Sequence, residues 1–212
     1  MGRRTLKKPD PSISTADRLL TIEDLPQPWN AEKLFGRNAP LEVEVGSGKG
    51  LFIRTAAVAR PDVNFLGIEL AEKYAQFAAA ALVRHDLKNG LMLAGDGLKV
   101  FEEFLPDASV AAVHVYFPDP WWKRRHRKRR VMRESFLRDI QRTLIDDGRL
   151  HFWTDVKEYF DVSLKLIAAV TPLEGPNVVP ETEAQHSMDY RTHFERRMRK
   201  SNLPVYRAEF RK

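Results

Sequence analysis

No cysteine occurs anywhere in the 212 residues, which rules out disulfides, thiolate-held zinc, iron–sulfur clusters and every cysteine nucleophile. Nor is there an apolar run long enough to span a bilayer, and the basic first eight residues are followed by no apolar stretch of signal-peptide length. A cytoplasmic location with no membrane attachment is the expectation. The six histidines are scattered without ligand spacing, so no metal is expected. What is present suits one α/β domain: 43% hydrophobic residues in a chain too short for two ordinary domains. The formal charge of +6 is concentrated in Arg3 to Lys8, Lys123 to Arg130 and Arg196 to Lys200, a clustering that points to a polyanionic partner.

Residues 1–28 are polar, basic and proline-marked, and predict a loose arm with at most one short helix around Ala16 to Leu20; residues 29–212 form the domain proper. From Leu41 an apolar alternation, Leu-Glu-Val-Glu-Val, runs into Gly46-Ser-Gly-Lys-Gly50 and a helical stretch ending before Pro61. Asn64 to Leu70 predicts a second strand, followed by a helix with Leu70, Tyr74, Phe77, Ala81 and Leu82 on one face. Further strands are expected at Leu91 to Ala94, Val110 to Phe117, Arg149 to Trp153 and Val205 to Phe210. Helices are expected around Leu98 to Leu105, through Phe136, Leu137, Ile140 and Leu144 up to Asp146-Asp-Gly148, and over Tyr159 to Val170, with a proline-rich loop after it. Repeated βα units make an α/β, doubly wound, mostly parallel sheet, because parallel strands need crossover helices that pack on both faces.

Ligands of such sheets lie outside the carboxyl ends of the strands. The glycine loop there lacks the dinucleotide spacing, since the third glycine comes one residue early and Leu51 stands in its place; Glu69 would suit a ribose in either case. The phosphate-loop and nucleophile-elbow patterns fail as well. An acid-x-G-x-G-x-G loop from Glu44 to Gly50 lets backbone approach an adenosine with no pyrophosphate to hold, and its leading carboxylate suits an ammonium group. A lone glycine loop can be a mere turn, but Glu69, Asp96 and Asp119 at successive strand ends argue for a site. Asp96, in Gly-Asp-Gly, either receives an adenine amino group or stabilises a turn.

Phe117-Pro-Asp-Pro-Trp-Trp-Lys-Arg-Arg-His-Arg-Lys-Arg-Arg130 is the most distinctive segment. Two prolines restrict the backbone around Asp119, making a preorganised carboxylate. Trp121 and Trp122 offer faces for stacking a splayed-out base, and seven of the eight residues Lys123 to Arg130 are cationic, with His126 the eighth. In isolation such a run would be a solvated helix start; beside a rigid carboxylate and two tryptophans it suits a nucleic-acid backbone.

This segment resembles the hallmark of the bacterial tRNA (guanine-N7-)-methyltransferase family. The similarity extends from about Trp29 to the C-terminus through Phe35-Gly36, the Glu44 loop, Gly-Ile-Glu69, Thr154-Asp155 and Thr192-x-x-Glu195; Trp122 departs from it, standing where members commonly carry a second proline. The resemblance implies a Rossmann-like fold with a seven-stranded sheet and methyl transfer from S-adenosylmethionine to N7 of a tRNA guanine, number 46 of the variable loop. It further implies that Glu44, Gly46, Gly48, Glu69, Asp96 and Asp119 bind the cofactor, with Asp119 also catalytic. Lys123, Asp155, Thr192 and Glu195 would bind substrate, and Arg125, His126, Arg127, Lys128, Arg129 and Arg130 would contact RNA. Asp155 and Glu195, taken singly, could equally be surface acids. Guanine N7 carries an in-plane lone pair, so alignment worth roughly 7–11 kcal/mol, rather than proton removal, is the main requirement. Without cysteine, thiolate addition to a pyrimidine and cluster-based radical chemistry are both excluded. Rival expectations are methylation of another RNA base, a nucleic-acid binder without cofactor, and an NAD-dependent oxidoreductase; a monomer or weak homodimer is expected.

Overall fold

The computed structural model describes residues 10, 12–121, 123–181, 183, 186 and 189–212, with the side chains of 124 and 127 outside that set. The basic cluster Arg3 to Lys8, Trp122 and the side chain of Arg127 therefore lie outside the described residues.

Among the described residues, eight strands form one sheet. In chain order they are β1 (Leu19–Thr21), β2 (Leu41–Val45), β3 (Asn64–Glu69), β4 (Gly90–Ala94), β5 (Val110–Tyr116), β6 (Leu144–Thr154), β7 (Glu174–Val178) and β8 (Tyr206–Arg211). Their spatial order is β1-β4-β3-β2-β5-β6-β8-β7. All neighbours pair in parallel except β8, which is antiparallel to both β6 and β7. The chain moves outward from β2 through β3 to β4 and then returns to place β5 on the other side of β2. The topological switch point therefore falls between β2 and β5, where the crossover helices leave a crevice at the carboxyl edge.

Among the described residues, seven α-helices accompany the strands: α1 (Ala31–Phe35), α2 (Leu51–Ala59), α3 (Glu72–Arg84), α4 (Gly97–Glu103), α5 (Glu134–Thr143), α6 (Lys157–Val170) and α7 (His193–Lys200). Because side chains alternate along a strand, register assigns each central residue to a face. One face carries Val43, Val45, Val113, Val115, Leu150, Phe152, Ala208 and Phe210, which with Val100 and Phe101 of α4, Phe136, Leu137 and Ile140 of α5, and Ile167 of α6 make the main core. The opposite face carries Glu42, Glu44, His114, Tyr116, His151, Trp153, Arg207 and Glu209. A second apolar cluster, built with Phe52, Ile53, Ala78 and Leu82 of α2 and α3, lies on that side.

Several expectations need correction. The sheet has eight strands, not seven. The segment expected as a short helix near Ala16 to Leu20 supplies β1 instead, pairing Leu19 with Met92 and Leu20 with Leu93, and Leu25 beyond it is buried. A helix of about five residues cannot offset its nucleation cost alone, whereas an edge strand gains pairing partners at once. The expected arm is thus part of the sheet from residue 19. The strand β7 lies in the expected proline-rich loop: its residues are all exposed, and Pro176 is tolerable because the strand is an edge. On α3 the buried residues are Ala75, Ala78, Ala79, Ala80, Ala81 and Leu82; of the face expected, Ala81 and Leu82 are buried, Tyr74 and Phe77 are half-buried, and Leu70 is 76% exposed. A Cβ built on Gly50 would come within 2.6 Å of the Ala78 Cβ, so the close approach of loop and helix selects small residues over the larger ones expected there. Finally, α5 stops at Thr143, and Leu144 already pairs with Val110 before the ladder resumes at Arg149.

Candidate active site

The glycine loop between β2 and α2 holds Gly46, Gly48 and Gly50 at φ of +85°, +55° and +67°, the left-handed region that side chains disfavour. Above Gly46 and Gly48 a Cβ would meet nothing within 4 Å, so the loop borders open space. The amides of Gly46 and Ser47 both donate to the Ile68 carbonyl, at 2.8 and 3.1 Å, fastening the loop to β3. Glu69 fastens it again: Oε2 accepts from the Gly48 amide at 2.8 Å and Oε1 from the Ala71 amide at 2.9 Å. Glu44 is 2% exposed, and its Oε2 is without a hydrogen-bond partner among the described residues. Burial pushes its pKa up to about 8; the Ser47 hydroxyl counteracts this and the charge of Glu69 adds to it. A buried carboxyl with one unpartnered oxygen, leading into a loop that borders open space, suits a cationic ligand group. Asp96 caps α4, accepting from the Leu98 amide at 2.9 Å through Oδ1, so the turn-stabilising role is real and Oδ2 is the atom left for a ligand.

On the other side of the switch point, the Phe117 amide donates to the Trp153 carbonyl at 2.8 Å, and Phe117 and Trp121 then bracket Pro118-Asp119-Pro120 with φ of +51° and +40°. Asp119 is exposed at the rim of a cavity of about 350 Å³ lined by Asp119, Pro120, Trp121, Lys123 and His126. His126, in the 3-10 turn Arg124–Arg129, contributes to its lining. The Arg129 guanidinium lies 5.1 Å from the centre of the Trp121 ring, and His126 meets the same ring edge-on at 5.4 Å. His126 Nε2 also accepts from Arg125 Nε at 3.3 Å. Arg130 turns inward instead, donating from Nε to the Pro120 carbonyl at 2.7 Å.

Helix α7 completes the rim. Phe194 packs on Phe117 at 4.8 Å, and Arg191 lies over both Phe52 and Trp153, at 5.7 and 5.9 Å. Burial, with the cations Arg196, Lys49 and Arg54, pushes the pKa of His193 down to about 4. The expected substrate residues Thr192 and Glu195 spend their side chains on structure. Thr192 Oγ1 accepts from the Glu195 amide at 3.0 Å, Glu195 Oε2 accepts from the Arg191 amide at 2.6 Å, and Glu195 Oε1 meets Arg207 at 3.2 Å and Arg199 at 3.4 Å. This is a helix cap joined to a buried ion-pair network. Glu195→Ala leaves those cations with one acceptor fewer at a buried site and is expected to destabilise the fold by about 3 kcal/mol, read as a lower denaturant midpoint at constant slope; a loss below about 1 kcal/mol would contradict the network. Asp155 sits half-buried just past β6, and Lys123 is exposed.

Sequence reasoning missed Arg191, Phe194 and a buried chain beneath the site. Tyr116 hydroxyl and His114 Nδ1 are 2.9 Å apart, His114 Nε2 lies 2.9 Å from Glu42 Oε2, and Arg60 holds both oxygens of Glu42. Burial alone would raise Glu42, but hydrogen bonds from His114 and Arg60 hold it at about 2. Burial lowers the His114 pKa, so its neutral ring donates from Nε2 to Glu42 and accepts a hydrogen bond from the Tyr116 hydroxyl at Nδ1. The polar residues at i and i+2 of two otherwise apolar strands, Glu42 with Glu44 and His114 with Tyr116, were the available signal.

A family model described as "Putative methyltransferase" matches residues 38–208. A curated tRNA (guanine-N(7)-)-methyltransferase of Rhodopirellula baltica is 50% identical over 219 residues, covering all of this chain and 80% of its own. One from Listeria monocytogenes is 33% identical over 187 residues, covering 88% of this chain and 86% of its own. Among solved structures, an antibiotic-related methyltransferase superposes with a TM-score of 0.59 at 13% identity, covering 85% of this chain and 92% of its own. An aminoglycoside resistance methyltransferase gives 0.56 at 17% identity, covering 85% and 90%. At those identities the structural likeness shows the fold alone.

Proposed function

Because this chain belongs to the bacterial tRNA (guanine-N7-)-methyltransferase family, we propose that it methylates N7 of guanine 46 in the variable loop of tRNA. The observation that carries the proposal is the unpartnered buried oxygen of Glu44 beside an open glycine loop, across the switch point from Asp119 and a basic loop. S-adenosylmethionine, when bound, supplies an electrophilic methyl group. Glu44 would accept from its ammonium. Glu69, each of whose oxygens already accepts one amide, would take the ribose hydroxyls on remaining lone pairs, and Asp96 Oδ2 the adenine amino group. Gly46 and Gly48 leave room for the ligand's body. Asp119 would both contact the cofactor and orient the guanine, offsetting the positive charge that develops on the imidazole ring. No residue need remove a proton, since N7 attacks with its own lone pair.

Lys123 and Asp155 would hold the guanine nucleotide, while Thr192 and Glu195 serve it through the turn they build, which presents Arg191 and Phe194. Arg125, His126, Arg127, Lys128 and Arg129 would face the tRNA backbone. Replacing Arg125 and Lys128 together by alanine is expected to weaken tRNA binding and to reduce the slope of log Kd against log salt by about 1.5–2, two phosphate contacts' worth. Equal slopes for variant and parent would remove both residues from the RNA contact.

The deciding experiment treats tRNA with the protein and S-adenosylmethionine, then with borohydride and aniline, which cut at N7-methylguanosine. A cut at guanine 46 is expected. Methyl incorporation without a cut would assign the enzyme to a different RNA atom.

A further inference from the structure

Arg130 is the last member of a run of cations and, by sequence, one more RNA contact. Its side chain is committed elsewhere. Nε donates to the Pro120 carbonyl at 2.7 Å, and the guanidinium lies 5.1 Å from the ring centre of Tyr159, a residue of α6 that is 1% exposed. Pro120 precedes the basic loop and Arg130 ends it, so this hydrogen bond ties the loop's two ends together, and the Tyr159 ring ties them to α6.

The tie bears directly on Asp119. Each proline ring fixes its own φ but leaves ψ free. The direction of the Pro120 carbonyl reports ψ of Pro120, so the Arg130 hydrogen bond supplies the constraint that the ring cannot. It does so next to Trp121, which is held at an unfavourable φ of +40° and needs such support to persist. The guanidinium's place 5.1 Å from the Tyr159 ring centre holds the donor, because the cation–π contact restrains a side chain that a more strongly hydrated lysine would leave mobile.

We propose that Arg130 is a positioning residue for Asp119 rather than an RNA contact: it clamps the base of the basic loop so that the carboxylate is presented in one orientation. This rests on the catalytic role proposed for Asp119. The test compares Arg130→Ala, Arg130→Lys and Asp119→Ala/Arg130→Ala with the parent and with Asp119→Ala. Methyl transfer is measured at saturating tRNA, tRNA Kd at several salt concentrations, and active protein is counted by cofactor titration. Arg130→Ala is expected to lower kcat about 10–100-fold while the tRNA Kd and its salt slope match the parent. Arg130→Lys, which keeps a cationic donor but loses the guanidinium's geometry over the Tyr159 ring, should recover part of the loss. In the Asp119→Ala background, Arg130→Ala should cost little more, because both act through one carboxylate. A salt slope reduced by about one with kcat unchanged would make Arg130 an ordinary phosphate contact and overturn the proposal. A full additional loss in the double variant would overturn it too. If Asp119→Ala itself stays near parental rate, the role of Asp119 fails instead, and the two failures are told apart. Should Arg130→Ala not fold, the same split of kcat from salt slope is read on Arg130→Gln, which removes the charge while keeping a side-chain N–H donor.

Discussion

Asp119→Ala is expected to lower single-turnover methylation of tRNA by about 10²–10³-fold, corresponding to roughly 2.7–4 kcal/mol of transition-state stabilisation. As the methyl group moves, positive charge passes onto the guanine imidazole, and Asp119 at the rim of the cavity is the carboxylate placed to offset it. The protein should otherwise be undisturbed. Asp119 is exposed, and Phe117, Pro118, Pro120 and the Arg130 hydrogen bond define the backbone on either side of it. The thermal midpoint is therefore expected to stay within a few degrees of the parent, and Asp119→Asn, which keeps shape without charge, should fall between the two. A loss under about fivefold in rapid-quench measurements would remove Asp119 from the chemistry.

Glu44 makes the second large prediction, through pH. With its pKa at about 8, the free protein holds this carboxyl mostly protonated at pH 6–7, whereas pairing with an ammonium requires the carboxylate. Cofactor binding should then release a proton, and affinity should rise roughly tenfold per pH unit well below pH 8. Near pH 8 the gain ends, because the α-amino group of the ligand, at about 7.7–8.0 in water, begins to lose its own proton. Stability runs the other way. A carboxyl raised above its unfolded value of 4.5 stabilises the fold fully below that value, and the contribution is lost as pH rises through about 8. Glu44→Gln should therefore raise the unfolding midpoint at pH 8 while weakening S-adenosylmethionine about 10–100-fold, as expected for a lost charge-assisted hydrogen bond. Calorimetry in buffers of different ionisation enthalpy measures the proton. Unchanged proton release in Glu44→Gln would assign it to another group.

The strands β2, β3, β4 and β5, the glycine loop and the proline-bracketed aspartate were legible because each is a local pattern: alternation, a glycine triplet, a rigid tripeptide. The edge strands were not. β1 has three residues and β7 none buried, so neither leaves a periodic trace, and both exist only because a neighbouring strand offers a ladder. The alanine face of α3 was hidden for a similar reason, since nothing in 72–84 announces that Gly50 will press against it.

What the residue order determined by itself was the inventory at the sheet's carboxyl edge: an acid before a glycine loop, acids after successive strands, and a carboxylate between prolines ahead of a cationic run. Only tertiary structure decided how that inventory is divided. It buried Glu44 and raised its pKa, engaged Thr192 and Glu195 in a helix cap, and turned Arg130 from the solvent side of its run onto Pro120 and Tyr159. The physical reason is that desolvation and hydrogen-bond partnership depend on neighbours distant in the chain, and a side chain's type does not record who those neighbours are.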